Sequence, residues 1–520
     1  MACASPPSRF LERVLIGNFV VHALAMVSML AFLVASLPGG ITADDGVRIA
    51  RIAAHPWMWR LGWFPWQVTA FADLLLGIAI LRTPWIPKAP AIVALLFTIA
   101  AIIPDQAAQA MFVTRGVDLA QEAVRTSAPA PFLAFERVWF PRTAAWAACF
   151  YDASAIAWSV CFYRAGTWSR ALTWLSLAAW SAFGVVSVGM LLPVAYRLPQ
   201  ALVSLGNALG FVLFEVWILA VLDRVLARSR PEQAHGRMAR WRHPSSFLRW
   251  IVDPLSNSRA LRALCERMPG LAFRSDITDV VYVNYLVDAE RLVALVPEGL
   301  ELQRLGGTGE DGALSIFTHL TYNHGHFGPR VLGPLRRLLG SPVQSNWRIH
   351  VRDPRTGVLG IYFVTTAISS TLSALAARLM TEGVPMHVPA HAQVRRDGDG
   401  TLHVSIDPGD GSAPDLEATL KPARAAVLPT PWSKCFSSYR QMLAFVVPQD
   451  RAMSTQPWRG IVTRHEIDLG IALDDCEPLD GEVASRAAEA IVGDARPLCF
   501  RVARVSFEFD AELRDPLASL

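Results

Sequence analysis

Asp73, Asp105, Asp152 and Glu215 each stand inside a long apolar run, and His22 stands in another. A charge at the centre of a bilayer costs roughly 2.5–3.5 kcal/mol on translocon scales, so such groups turn into a bundle, find partners or hold protons. Two chemistries fit these residue types. They could line a polar cavity or a cation or proton path. Alternatively, single acids hydrogen-bond Ser, Trp and backbone groups and fix helix packing. No Lys or Arg is buried beside them in sequence, and helices broken by Gly or Pro at matched positions are missing, which favours packing.

In the more polar half, Arg348, Tyr362 and Arg378 are the candidate ligand contacts. An arginine on a strand can pair a carboxylate through two N–H groups, and a tyrosine can donate to it. Each could equally face water. Two histidine groupings offer metal-ligand types: His319, His324 and His326 in THLTYNHGHFGPR, and His387 and His391 around VPA. Gly325, Gly328 and Pro329 suggest a turn in the first. Pro389 breaks any regular helix in the second. Neither offers three convergent ligands with a supporting acid, so no metal and no cofactor is expected.

These residues need elements to carry them, and the chain supplies two different kinds. Of 520 residues, 52% are hydrophobic and only 18% charged. The excess of apolar residues lies before residue 230. Six runs, near 14–37, 66–82, 89–112, 143–163, 171–196 and 201–223, are each close to the ~20 residues that a bilayer crossing needs. The first is too long for a signal peptide and reads as a retained helix. An inner N-terminus puts Arg9, Arg13, Arg82, Lys88, Arg164, Arg170 and the cluster from Arg224 to Arg242 on the inner side. The expectation is a multi-pass protein of the cell inner (plasma) membrane, with N- and C-termini cytoplasmic and the lipid bilayer as partner.

The helices carry an internal echo. Gly46-Val47-Arg48-Ile49-Ala50 precedes Trp63-Phe64-Pro65, and Gly116-Val117-Asp118-Leu119-Ala120 precedes Trp139-Phe140-Pro141. Asp73 and Asp152 follow the two Trp-Phe-Pro triplets. A duplicated helical hairpin predicts this order, with Trp and Phe as interfacial anchors and Pro in a helix's first turn. Net charge is only +4, which gives no reason to expect nucleic acid. The seven cysteines form no CxxC, so neither a disulfide framework nor a zinc site is implied.

Residues 228–250 read as a basic juxtamembrane linker. Beyond them short β-like runs follow one another: 279–287, 313–323, 345–353, 357–369, 391–396, 401–407, 416–421, 460–471 and 499–509. Turn signals such as Asp353-Pro354-Arg355-Thr356-Gly357 make several of them hairpins. Helices are expected at 288–295, 371–382, 433–445 and 481–492. The domains are therefore 1–227, a six-helix membrane bundle with repeated hairpins, and 251–520, an antiparallel β-rich α+β domain.

The run Val283-Asn284-Tyr285-Leu286-Val287-Asp288-Ala289-Glu290-Arg291-Leu292, followed by Val296-Pro297-Glu298-Gly299-Leu300-Glu301-Leu302, resembles the opening of the YqjF-like family of uncharacterised bacterial proteins. Asn346-Trp347-Arg348-Ile349-His350-Val351, Gly360-Ile361-Tyr362-Phe363 and Ala374-Leu375-Ala376-Ala377-Arg378-Leu379 are similar to its central hairpin and following helix. The resemblance spans roughly 275–510 and implies a distant relation to acetoacetate decarboxylase, with a double-layered barrel or cone around a small-molecule pocket; the arginine distribution puts this domain on the cytoplasmic side. Decarboxylation by that family uses a lysine whose amine forms a Schiff base beside a second cation. Lys421 and Lys434 are the candidates here, and neither has a neighbouring lysine. The resemblance thus implies the fold without the catalytic pair.

The expected function is binding of a small organic or lipidic molecule by a membrane-anchored domain. Two alternatives stay open: an enzyme acting on a small carbonyl or carboxylate compound, and an ion-coupled transporter or sensor.

Overall fold

The computed structural model describes residues 6–38, 40, 42, 44–193, 196, 199–230, 232–268, 271–306, 313–448, 451–456, 460–468, 470–510 and 512–516. The chain forms two compact units, Met1–Arg230 and Pro231–Leu520.

The first unit is helical: α1 (Pro6–Ser28), α2 (Asp45–Ala54), α3 (Pro56–Arg82), α4 (Lys88–Met111), α5 (Val117–Thr126), α6 (Ala130–Pro141), α7 (Ala148–Arg164), α8 (Arg170–Leu191) and α9 (Gln200–Ser229). Among the described residues, six helical stretches are long and apolar enough to cross a membrane. They are Arg9–Leu33, Pro56–Arg82, Lys88–Thr126, Ala130–Arg164, Arg170–Leu191 and Leu202–Arg228.

The echoed segments become matching short helices. Asp44 accepts from the Val47 N–H and starts α2, and α2 packs against α5. Arg48 on α2 reaches α6, where its Nη1 and Nη2 donate to Glu136 Oε1 and Oε2 at 3.1 and 2.9 Å. The Trp-Phe-Pro triplets do not start helices. Pro65 and Pro141 sit inside α3 and α6, both of which begin about nine or more residues earlier. After Pro141 the helix continues as a π-helical turn at Arg142–Ala147. Trp63 is buried and stacks on Phe112 at 5.6 Å, so it packs the interior instead of anchoring at an interface.

The second unit opens with α10 (Ser246–Asn257) and α11 (Arg259–Cys265), helices that the sequence reading left out. The basic stretch before them is built into this unit. Trp241 is fully buried, and the Gly236 N–H donates to Val364 O at 2.7 Å. The strands are β1 (Phe273–Asp288), β2 (Glu301–Leu302), β3 (Leu314–Pro329), β4 (Val343–Arg352), β5 (Leu359–Ile368), β6 (Met386–His387), β7 (His391–Arg396), β8 (Leu402–Asp407), β9 (Leu416–Pro422), β10 (Arg451–Gln456), β11 (Ile461–Asp468), β12 (Cys476–Ala484), β13 (Leu498–Phe509) and β14 (Leu513–Pro516). The helices between them are α12 (Ala289–Val293), α13 (Thr371–Met380), α14 (Trp432–Cys435), α15 (Tyr439–Val446) and α16 (Arg486–Val492).

The strands form one sheet in the order β14-β11-β10-β5-β4-β3-β1-β13-β12-β9-β8-β7. It curls until β11 touches β13, through two residue pairs, while β10 meets β5 through one. Those junctions are too short for a continuous hydrogen-bonded wall, so the expected barrel is a curled sheet instead. Central strands are buried on both faces, which explains near-continuous apolar runs such as VVYVNYLV. One face packs Val283, Tyr285, Trp347, Ile349 and Tyr362 against the β7–β9 hairpins. The other packs Tyr282, Leu320 and Tyr322 against α14 and α15.

Candidate functional site

A cavity of about 670 Å³ opens on the second face of that sheet. Its wall is mostly apolar, with Ile277, Leu320, Phe363, Met386, Val505 and Phe507 among its side chains. Antiparallel pairing sets the polar residues in rows across β1, β3 and β4. Tyr322 faces Gln344; the next row is Tyr282, Leu320 and Asn346; the row beyond is Asn284, Thr318 and Arg348. Successive rows on one face lie about 6.8 Å apart. The first two rows line the cavity and the third stands behind them.

The first two rows carry a directed hydrogen-bond chain. His324 Nε2 lies 2.7 Å from Gln344 Oε1, which can only accept, so this nitrogen donates. His324 Nδ1 then accepts from Ser275 Oγ at 2.8 Å. Gln344 Nε2 donates to Asn346 Oδ1 at 2.7 Å, and Asn346 Nδ2 donates to the Tyr322 hydroxyl at 3.0 Å. The Tyr322 hydroxyl accepts, and its own proton has no acceptor among the described residues. Burial pushes the His324 imidazole down to about 4 and raises the Tyr322 phenol, so both are neutral near pH 7. The chain therefore ends at the cavity wall in an unspent O–H donor.

Arg348 is fully buried one row behind. Its Nη2 donates to Val446 O at 2.9 Å, and its Cζ lies 5.7 Å from the Tyr282 ring centroid. Nε and Nη1 have no partner among the described residues. Desolvation pushes this guanidinium down to about 10, against the opposing pull of Tyr282 and Tyr322. An arginine in the interior without a carboxylate is an unusual charge to leave uncompensated.

A second polar group on the cavity wall comes from β11, the residue before β14 and the residue after α13. His465 Nδ1 donates to Asp510 O at 3.0 Å. Its Nε2 lies 2.8 Å from Thr381 Oγ1 and 3.3 Å from Glu512 Oε2. The ring stacks on Phe509 at 4.3 Å. Burial by itself would raise the Glu512 carboxyl. Hydrogen bonds and charge from His465 and Arg514 outweigh it and hold the carboxyl below its usual range.

The three expected ligand residues do not share this site. Arg348 stands behind the wall. Tyr362 lies on the opposite face, since Phe363 is the β5 residue that lines the cavity. A Cβ at Gly236, where φ is +76°, would come 2.5 Å from the Tyr362 hydroxyl, so glycine is required there. Arg378 is fully buried on α13, and its Nη2 donates to Ala239 O at 2.6 Å. It fastens the segment before α10. Lys421, on β9, and Lys434, on α14, are exposed, and neither lines the cavity. Among the described residues, no lysine lines the cavity.

The histidines also disperse. His319 is buried and stacks on Trp347 at 4.9 Å; His326 is exposed at φ +55°. His387 is buried with its Nδ1 2.7 Å from Ser412 Oγ, and His391 is exposed. Sequence reading missed His465, Glu512 and Tyr322. His465 sits in alternation within GIVTRHEIDLGI, which could have marked it as inward-facing. Glu512 follows a strand end with no signal of its own.

In the helical unit the polar residues gather in three groups. Asn18 Nδ2 donates to Asp73 Oδ1 at 2.8 Å, and His22 Nε2 lies 3.7 Å from Asp73 Oδ2. Glu215 is within electrostatic reach of Asp73, and neither of its carboxylate oxygens has a hydrogen-bond partner among the described residues. Asp105 accepts from Thr143 Oγ1 at 2.5 Å and from Gln109 Nε2 at 3.0 Å. Asp152 accepts from Ser187 Oγ at 2.9 Å.

Residues 274–436 match the family model DUF2071, described as an uncharacterized conserved protein. No curated protein matches the chain. Among solved structures, the second unit is similar to the enduracididine biosynthesis enzyme MppR complexed with the condensation product of pyruvate and imidazole 4-carboxaldehyde. That match has 13% identity and a TM-score of 0.34, covering 51% of this chain and 94% of that one. An acetoacetate decarboxylase from Legionella pneumophila matches at 12% identity and a TM-score of 0.32, over 48% of this chain and 88% of its own. An acetoacetate decarboxylase-like enzyme from Sphingomonas wittichii RW1 matches at 13% identity and a TM-score of 0.32, over 48% and 94%.

Proposed function

We propose that the sheet-rich unit binds a small amphiphilic molecule, with an apolar body and a carbonyl or carboxylate head, and that the six apolar helices anchor it in a membrane. The observation that carries this reading is the pairing of a mostly apolar cavity of about 670 Å³ with a directed donor at Tyr322. A volume of this size suits one compact ligand. A donor whose proton is unspent asks for an acceptor on the ligand. Arg348, one row behind, supplies positive potential that favours an oxygen bearing negative charge. Solvent extraction of the purified full-length protein, followed by mass spectrometry, tests this. A stoichiometric small amphiphile is expected; recovery of bulk membrane lipid in proportion to the detergent micelle would contradict it.

A second reading, acid–base chemistry on a bound carbonyl compound, is favoured by His465 and Glu512 on the same wall. A histidine held by a carboxylate is a common proton-transfer pair. If this reading holds, the extracted molecule is consumed on incubation with wild-type protein and persists with His465→Asn. Equal persistence with both proteins would remove it.

The anchoring reading places both termini on the cytoplasmic side, because the arginines flanking the helices concentrate there. Reporter fusions after Arg164 and after Ser229 should both report the cytoplasm. A periplasmic signal from either would reverse the orientation.

A further inference from the structure

The rim of the cavity exposes far more apolar side chain than a wetted surface tolerates. Residues 330–339, between β3 and β4, form its lip. Leu332 and Leu339 turn inward and line the cavity. Val331, Leu335 and Leu338 turn outward and are 83%, 61% and 83% exposed. On the α13 side of the rim, Leu372 lines the mouth and is 77% exposed.

Beside α13 packs α10, and its pattern is inverted in the same way. Val252 and Ser256 face the domain, whereas Phe247, Trp250, Ile251 and Leu255 form an outward stripe at helical spacing. Phe247 and Trp250 are 72% and 69% exposed. Arginines border both segments: Arg336 and Arg337 on the lip, Arg240 and Arg242 just before α10. An aromatic and aliphatic stripe edged by arginine is the composition of a helix that lies in a lipid headgroup layer. Basic residues near such a surface add about 1 kcal/mol each towards anionic lipid.

We infer that the lip at 330–339 and the outer face of α10 dock on an anionic bilayer surface, so that the cavity mouth opens onto lipid and its ligand is an amphiphile drawn from the bilayer. This rests on the binding reading above for the ligand, but the docking surface stands on its own observations. The occupant follows from three of them. The exposed side chains are of interfacial type, and their border is cationic. The last apolar helix also ends at Ser229, shortly before α10 begins at Ser246, which holds this unit within a short tether of any membrane the helices occupy. A soluble acidic protein would match the arginines but not Val331, Leu338 and Trp250 together.

The test uses the full-length chain in nanodiscs of phosphatidylethanolamine and phosphatidylglycerol, the latter with a diazirine on its acyl chain. After irradiation, digestion and mass spectrometry, labels are expected on 331–339 and 247–255 as well as on the six apolar helices. Leu335→Glu with Leu338→Glu should cut lip labelling about tenfold and leave helix labelling unchanged. Labels confined to the six helices overturn the docking surface even if the cavity carries a ligand. Labels on the lip and α10 with an empty cavity keep the surface and remove the binding reading instead.

Discussion

His465 Nε2 lies 3.3 Å from Glu512 Oε2 on the cavity wall, and both side chains are almost wholly buried. Glu512 also accepts from the Glu382 N–H at 2.8 Å and from Arg514 Nε at 3.0 Å. Its carboxyl is held below the ordinary range, so the native state binds its proton less readily than the unfolded chain does. That contribution is present above the ordinary carboxylate pKa and is lost as pH falls through the folded value. Glu512→Gln should therefore lower the melting temperature at pH 7, by the equivalent of ~1–3 kcal/mol for a broken buried network, and progressively less as the pH is lowered below the ordinary carboxylate range. Equal losses at pH 7 and below that range would contradict the pairing.

Buried histidines should make the sheet unit acid-labile well above the carboxylate range. Burial pushes His319 and His350 down to about 3 and His324 down to about 4. Each is neutral in the fold and protonates near pH 6.5 when unfolded, so stability falls as pH drops below 6.5 until those folded values are reached. Each contributes ~1.4 kcal/mol per pH unit within that window. Melting curves at pH 7.5 and 5.5 should differ clearly, and His350→Phe should reduce the difference. A flat profile would show that these rings are hydrated.

Arg348 is retained at a cost. Replacing even a buried ion pair by hydrophobes of similar size is often neutral or stabilising by ~1–4 kcal/mol, and a buried arginine without a carboxylate has less attraction to lose. Arg348→Met is expected to keep or raise the melting temperature while weakening a carboxylate-bearing ligand tenfold or more. A large loss of stability with unchanged binding would make Arg348 a structural residue.

The helical unit depends on a different pair. Arg48 and Glu136 are both buried and join the two echoed hairpins. Removing one partner of such a pair leaves a stranded charge and costs ~3–5 kcal/mol. Glu136→Gln should sharply lower thermal stability in detergent, and Arg48→Met with Glu136→Met should recover much of the loss. No recovery in the double variant would mean that the pair is incidental.

The long apolar runs were legible because a bilayer-length helix needs little more than composition, and all six reappear, although three of them extend ten or more residues beyond the expected bounds, at Pro56, Thr126 and Ala130. The nine expected strands were legible from alternation and turn residues. β10, with its run RAMSTQ, was not, because its burial comes from neighbours distant in sequence. The helix expected over 481–492 begins at Arg486, since Glu482 and Val483 pair with β9. Trp241 read as linker because nothing local marks a tryptophan as the centre of a core. The candidate site was the least legible part. Tyr322, Asn346 and Gln344 meet only through the register of β3 with β4, and His465 meets Glu512 where the antiparallel register of β11 with β14 runs out.

The central claim is that the cavity holds a ligand. Ala377, on α13, lines it, and a tryptophan there would project an indole ring into the space a ligand needs. Native mass spectrometry of the full-length chain, released from detergent, should show a small-molecule adduct on the wild type and none on Ala377→Trp, with both equally folded. An adduct of the same mass on both proteins, or on neither, would contradict it.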